Sequence, residues 1–244
     1  MRKIAFTVDV EKDFHKESYA NLKNLSKLSK TLKARNIKAT FFATSDCLEK
    51  YPGIFKKLRK EGHEVALHGY LHERWDVLSL EEREERLHKA IAVYRGVFNE
   101  NPKGFRAPQF SADFELVKLL NKMHFAYDSS LVQFPLFQAI FFPSRLGLYL
   151  RQCFIRPNIR GSKMRIWEIF VSSFVLPTSA FSLRKLPRWL FWILHEFAYL
   201  YRKKNWVIFL SHSYEFDKAG LERIESYLEK YKNASFVRME DLVA

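Results

Sequence analysis

Short apolar runs punctuate this chain, and most of them end on a side chain that can do chemistry. Lys3 to Val8 closes on Asp9, Glu64 to Leu67 on His68, and Phe105 on Arg106. Phe125 to Tyr127 closes on Asp128, and Val207 to Ser211 on His212. Ala39 to Thr44 is a further run, rich in aromatic and β-branched residues and so strand-like. Helical stripes lie between the runs. Leu22, Leu25, Leu28 and Leu32 recur at helical spacing among lysines. Pro52 opens a helix through Arg59. Ser79-Leu80-Glu81-Glu82 reads as a capping box, followed by Leu87, Ile91, Tyr94 and Phe98. Alternating strand and helix imply a parallel sheet or barrel. Chemistry gathered at strand C-termini favours a (β/α) barrel, because that face carries the active site.

The 244 residues suit one domain spanning 1–244, large enough to bury a core without disulfides. Cys47 and Cys153 form no framework, so a reducing compartment is expected. The first residues read as a strand and not as a secretion signal. A cytoplasmic location is therefore expected, with peripheral contact at the inner membrane face as an extension of it. The net charge of +14 is uneven: residues 131–205 hold 12 Lys/Arg against 2 Asp/Glu. That segment reads as a basic insert for an anionic partner, and no nucleic-acid partner is expected. It is also dense in aromatics: Phe134, Phe137, Phe141, Phe142, Trp167, Phe170, Phe174, Phe181, Trp189, Phe191 and Trp192. Its most apolar stretch, Leu186 to Tyr201, would be a helix about 24 Å long, short of the roughly 30 Å hydrocarbon core. An interfacial helix or a buried barrel helix is expected there.

His68 and His72 would share a face if the chain entered a helical turn after Leu67. Two neutral imidazoles there suit one zinc-like ion. Asp9 and Glu11 share a face of the first strand by alternation. Glu11 is therefore the expected carboxylate ligand, with Asp13 as the alternative. His15, His63, His88, His124 and His195 are read as structural or solvated.

In chain order these residues resemble the motifs of the polysaccharide deacetylase family, the NodB-homology N-deacetylases. The matches are Thr7-Val8-Asp9-Val10-Glu11, Lys38-Ala39-Thr40-Phe41-Phe42, Gly62-His63-Glu64-Val65 through His68 and His72, Arg106-Ala107-Pro108, Asp128, and Leu210-Ser211-His212. The variants at these motifs are similar to a branch associated with exported and cell-surface polysaccharides. The resemblance implies a distorted (β/α) barrel of about seven strands and one divalent ion, zinc or cobalt, on Glu11, His68 and His72. It makes Asp9 the general base and His212 the general acid, with Arg106 orienting Asp9 and Asp128 holding the His212 imidazolium. Leu210 would line the pocket for the acetyl methyl, with Pro108 also at the substrate. The expected partner is an N-acetylated glycan or lipid-linked sugar. Two departures stand out. Asp9 is followed by Val10 and not by a second acid, and Gln109-Phe110 replaces the usual Tyr-Gly. Hydrolysis of a small cyclic amide, as in allantoinase-like relatives, and a catalytically silent glycan- or membrane-binding module are the alternatives.

Overall fold

The computed structural model describes residues 2–13, 16, 18–153, 164–172, 176–201 and 206–243. His15 and Phe174, and the side chains of Phe137 and Phe141, lie outside the described residues. The chain runs β1 (Lys3–Val10), α1 (Lys23–Ala34), β2 (Thr40–Ala43), α2 (Ser45–Lys50), α3 (Pro52–Lys60) and β3 (Glu64–Leu67). It continues through α4 (Leu80–Phe98), β4 (Gly104–Phe105), α5 (Phe114–Lys122), β5 (Tyr127–Asp128), α6 (Pro135–Phe141) and α7 (Leu146–Cys153). The last third holds β6 (Trp167–Glu168), α8 (Ala180–Lys185), α9 (Arg188–Tyr201), β7 (Trp206–His212), α10 (Lys218–Lys230) and β8 (Ser235–Val237).

Seven parallel strands follow the order β6-β5-β4-β3-β2-β1-β7, and β8 pairs the start of β1. Strand β1 is buried from Ile4 onward, which fits its unbroken apolar character. Between β6 and β7 the ladder is replaced by irregular chain. Leu210 N–H donates to Thr178 O at 2.9 Å, Thr178 N–H to Ser172 O at 2.8 Å, and Ile208 N–H to the Ser172 hydroxyl at 2.9 Å. This closes the barrel imperfectly, which is the distortion. Segment 131–205 is thus built into the wall: it supplies β6 and the closing stretch.

The helices form where their stripes and caps direct. Leu25, Leu28 and Leu32 of α1 are fully buried. Ser79 caps α4 with both halves of the capping box made. Asp113 caps α5 through the Leu116 N–H. Helix α9 is amphipathic: Phe191, His195 and Ala198 are buried, while Trp189, Ile193, Phe197 and Leu200 face solvent. No helix among the described residues is long and apolar enough to cross a membrane.

Candidate active site

The carboxyl ends of β1, β3, β4 and β7 meet at one cavity of about 550 Å³, lined by Asp9, Glu11, His68, His72, Leu210 and His212 among others. Alternation along β1 delivers Asp9 and Glu11 to it, both 2% exposed. Asp9 Oδ1 accepts from Arg106 Nη1 at 2.7 Å. Arg106 is wholly buried, and its remaining donors reach Thr7 Oγ1, Ser129 O and Ser129 Oγ. The guanidinium also lies 4.0 Å over the Phe42 ring. Few rotamers remain to it. Asp9 Oδ2 is left facing the cavity, 3.9 Å from His68 Nε2.

Glu11 Oε2 lies 2.6 Å from His72 Nε2 and 3.3 Å from His68 Nε2. Yet this buried oxygen has no hydrogen bond. His68 Nδ1 is 2.8 Å from Arg106 O, and a carbonyl only accepts, so this nitrogen carries the proton. The lone pair of neutral His68 therefore sits on Nε2, turned toward Glu11. Ligand atoms of Glu11, His68 and His72 all fall within 4.8 Å of one another. Converging lone pairs from two imidazoles and a carboxylate suit a borderline divalent cation. Burial pushes the Glu11 carboxyl up, but His68 and His72 beside it win and hold it well below the usual carboxylate range. Asp13, the alternative ligand, is not part of this cluster. Its backbone pairs with Ser18, and its Oδ1 accepts from Lys16 N–H at 3.3 Å.

The two histidines do not meet on a helical turn. Gly69 takes φ 86°, which breaks any helix after Leu67, and residues 70–72 form a bend. A Cβ on Gly69 would come within 3.0 Å of both Leu71 O and the Trp75 indole nitrogen. Ser45 N–H donates to Gly69 O and Tyr70 O, pinning the bend. The i, i+4 spacing works here through a glycine turn.

His212 requires a larger correction. Its Nδ1 faces Glu215 Oε2 at 3.2 Å, and its backbone N–H donates to the same oxygen at 2.7 Å. Asp128, the expected partner, is fully buried, five places along the sheet from β7, and does not line the cavity. It accepts from Ser130 Oγ at 2.5 Å, and Ser130 Oγ accepts from Ala107 N–H at 2.7 Å. Asp128 therefore braces the chain beside Arg106. Burial lifts its carboxyl to about 6, against hydrogen bonds from Glu168 and Ser130. For His212, burial disfavours the imidazolium, but Glu215, with Glu11 and Asp9 beyond it, overcomes this and raises the pKa to about 9.

Leu210 lines the cavity and packs with Val132 and Val171. Pro108 does not line it; Gln109 and Phe110 do. Both take left-handed φ, 56° and 55°, which carries backbone strain for such side chains. Arg145 hydrogen-bonds the Gln109 side chain, and Gln152 donates to Phe110 O at 2.7 Å. Arg145, Tyr149 and Tyr214 also line the cavity, the last stacked on His212 at 5.0 Å. Nothing in the sequence singled out these three. Among the other histidines, His63 accepts from Ala39 N–H, and burial lowers its pKa to about 4. His195 bonds Tyr227 and Tyr231 within the packing under α9.

Comparison with known proteins decides the family. The model described as polysaccharide deacetylase matches residues 2–127, just over half of the chain. The chain belongs to the polysaccharide deacetylase family. A peptidoglycan deacetylase-like protein of Gibberella zeae is 35% identical over 94 residues, 38% of this chain and 28% of that protein. A peptidoglycan deacetylase of Helicobacter pylori is 28% identical over 124 residues, 51% of this chain and 42% of that protein. The chain thus spans less than half the length of these curated relatives. A Mycobacterium smegmatis structure described as a polysaccharide deacetylase superposes with TM-score 0.74 at 17% identity, covering 99% of this chain and 88% of that one. At that identity the likeness speaks for the barrel fold. In this family member, Glu11, His68 and His72 form a group able to hold a metal ion.

Proposed function

We propose that this protein is a metal-dependent N-deacetylase that hydrolyses the acetamide of an amino sugar in a glycan or lipid-linked glycan. One observation carries the reading: a Glu-His-His group fit for a cation shares a cavity with an Arg-held carboxylate and a Glu-held imidazole. The names of the curated relatives support a glycan substrate.

Glu11, His68 and His72 would hold the ion, zinc being the best match to two imidazoles and one carboxylate. When bound, it acidifies water and polarises the acetamide carbonyl. Asp9 is the general base: Arg106 keeps Oδ1 engaged and leaves Oδ2 toward the cavity to take the proton of the attacking water. His212, held as imidazolium by Glu215, is the general acid that protonates the departing amine. Without that proton the amine is a poor leaving group. Leu210, with Val132 beside it, offers an apolar wall to the acetyl methyl.

The test is acetate release from N-acetylglucosamine oligomers and from peptidoglycan, with zinc or cobalt supplied, alongside calorimetric titration of the metal. One ion per chain and acetate release are expected, and His68→Ala should lose both. Stoichiometric metal without acetate from any glycan would favour the silent binding module. Cleavage of cyclic ureides alone would favour the allantoinase-like alternative.

A further inference from the structure

Fourteen large hydrophobic residues are exposed among the described residues, and ten of them fall within 131–201. They are not scattered. On one flank of the cavity, Phe142 lines the opening while 48% exposed, and Ile140 and Leu146 stand beside it in sequence at 69% and 46%. On the other flank, Phe181 lines the opening at 55% exposure. From there α9 carries Trp189, Ile193, Phe197 and Leu200 outward at i, i+4, i+8 and i+11, one solvent-facing stripe along a helix. Ile193, Phe197 and Leu200 border a shallow groove of about 290 Å³ beside it.

Cations frame this apolar surface. Arg184, Lys185 and Arg188 are exposed between Phe181 and Trp189, and Arg151 is exposed at the end of α7. The whole segment holds 12 basic residues and 2 acids. One of those acids, Glu196, is bound by Arg2 and Tyr231, and the other, Glu168, is buried. The charge therefore selects the occupant. A second copy of this chain would set like-charged rims against each other, whereas a surface of anionic headgroups would be attracted. Aromatic rings flanked by Arg and Lys suit the headgroup zone of a bilayer. An uncharged apolar partner would leave these cations without counterions.

We propose that the cavity mouth docks on an anionic lipid bilayer, with Phe142, Phe181 and the α9 stripe entering the headgroup zone and the surrounding arginines and lysines pairing with lipid phosphates. The proposal is independent of the deacetylase reading, because it rests on the surface and not on Glu11, Asp9 or His212. It places any lipid-anchored substrate at the opening without the chain having to extract it from the bilayer.

The test is flotation of the purified protein with vesicles of phosphatidylcholine alone and of phosphatidylcholine with phosphatidylglycerol, each at low and high salt. Binding to the anionic vesicles is expected, weakened severalfold by salt as the Debye length shrinks. The double variant Trp189→Glu/Phe197→Glu and the charge reversal Arg184→Glu/Lys185→Glu should each lower the bound fraction about tenfold, roughly the effect of removing two membrane contacts. Neither pair contributes to the metal group or the proton-transfer residues, and unchanged thermal unfolding checks that both variants fold. Absence of binding, equal salt-indifferent binding to both vesicles, or wild-type binding by both variants would overturn the proposal. So would a dimer in sedimentation that Trp189→Glu/Phe197→Glu dissolves, since the stripe would then belong to a second copy.

Discussion

Asp9 and Glu11 stand two residues apart on one strand face, and their partners divide the labour between them. Arg106 fixes Asp9 from behind, and His68 and His72 converge on Glu11. Asp9→Asn should therefore cut acetate release by about 10²–10⁴-fold, the usual span for a general base, while metal content by elemental analysis stays at the wild-type level. Loss of the metal in Asp9→Asn would mean that the two carboxylates exchange roles. At His212 the decisive neighbour is Glu215. The imidazolium is the working form of an acid, and its pKa stands near 9, so turnover should be sustained below that value and fall as pH rises through it. Glu215→Gln leaves burial acting against the charge with the nearest anion gone, so the alkaline limb should move down toward the ordinary histidine value of about 6.5. An unmoved limb in the pH–rate profile would remove Glu215 from this role. The pairs on β1 were legible in the sequence because strand alternation is rigid. Glu215 was not, because His212 to Glu215 is also the spacing of a capping box, and the structure shows one carboxylate oxygen serving both.

At the scale of elements, the strand ends were readable and the turns that follow them were not. Each strand begins or ends where its apolar run does, because a strand buried on both faces has no choice of register. The turn after β3 was misread as helical because spacing alone cannot reveal the left-handed φ of Gly69. The turn after β4 was misread at Pro108 because its left-handed Gln109 and Phe110 are held by Arg145 and Gln152, distant in sequence. A second glycine has a purely steric task that only the structure shows. Gly104 of β4 lies under the ring of Tyr127 on β5, and a Cβ there would fall 2.0 Å from Tyr127 Cζ. The bare backbone lets the ring cross β4 so that its hydroxyl reaches Glu64 Oε1 on β3 at 2.8 Å. Gly104→Ala should thus destabilise the fold by about 1–3 kcal/mol, the usual cost of overpacking, as read by urea denaturation. Tyr127→Phe should not rescue it, since the clash is with the ring itself. Rescue by Tyr127→Ala would support the contact directly.

For the whole molecule, the barrel divides its polar residues between two ends. The carboxyl ends of the strands hold the candidate site, whereas the opposite end seals around Glu64, 4% exposed at the start of β3. Thr40 Oγ1 donates to Glu64 Oε2 at 2.7 Å, and the Glu240 N–H, past β8, donates to the same oxygen at 3.0 Å. Together with Tyr127, these contacts tie β2, β3, β5 and the C-terminal turn to one carboxyl. The sequence showed the run beginning at Glu64 but not this end of the barrel, because the partners lie 24, 63 and 176 residues away. Burial raises the Glu64 pKa to about 7, more than its hydrogen bonds lower it. The folded chain therefore holds a proton there between about 4.5 and 7 that the unfolded chain has released. Over that window this group makes stability fall as pH rises, in total by about 3 kcal/mol. Below about 4.5 both states are protonated and the group exacts no penalty, and above 7 the full penalty applies. Glu64→Gln keeps the shape and removes the titration. The difference in unfolding free energy between wild type and Glu64→Gln, measured by urea denaturation from pH 4 to pH 8, should change steeply across that window and flatten beyond it. The isostere should gain on the wild type as pH rises. A difference independent of pH would mean that Thr40, Tyr127 and the Glu240 amide hold the carboxylate charged at every pH tested, with burial the weaker effect.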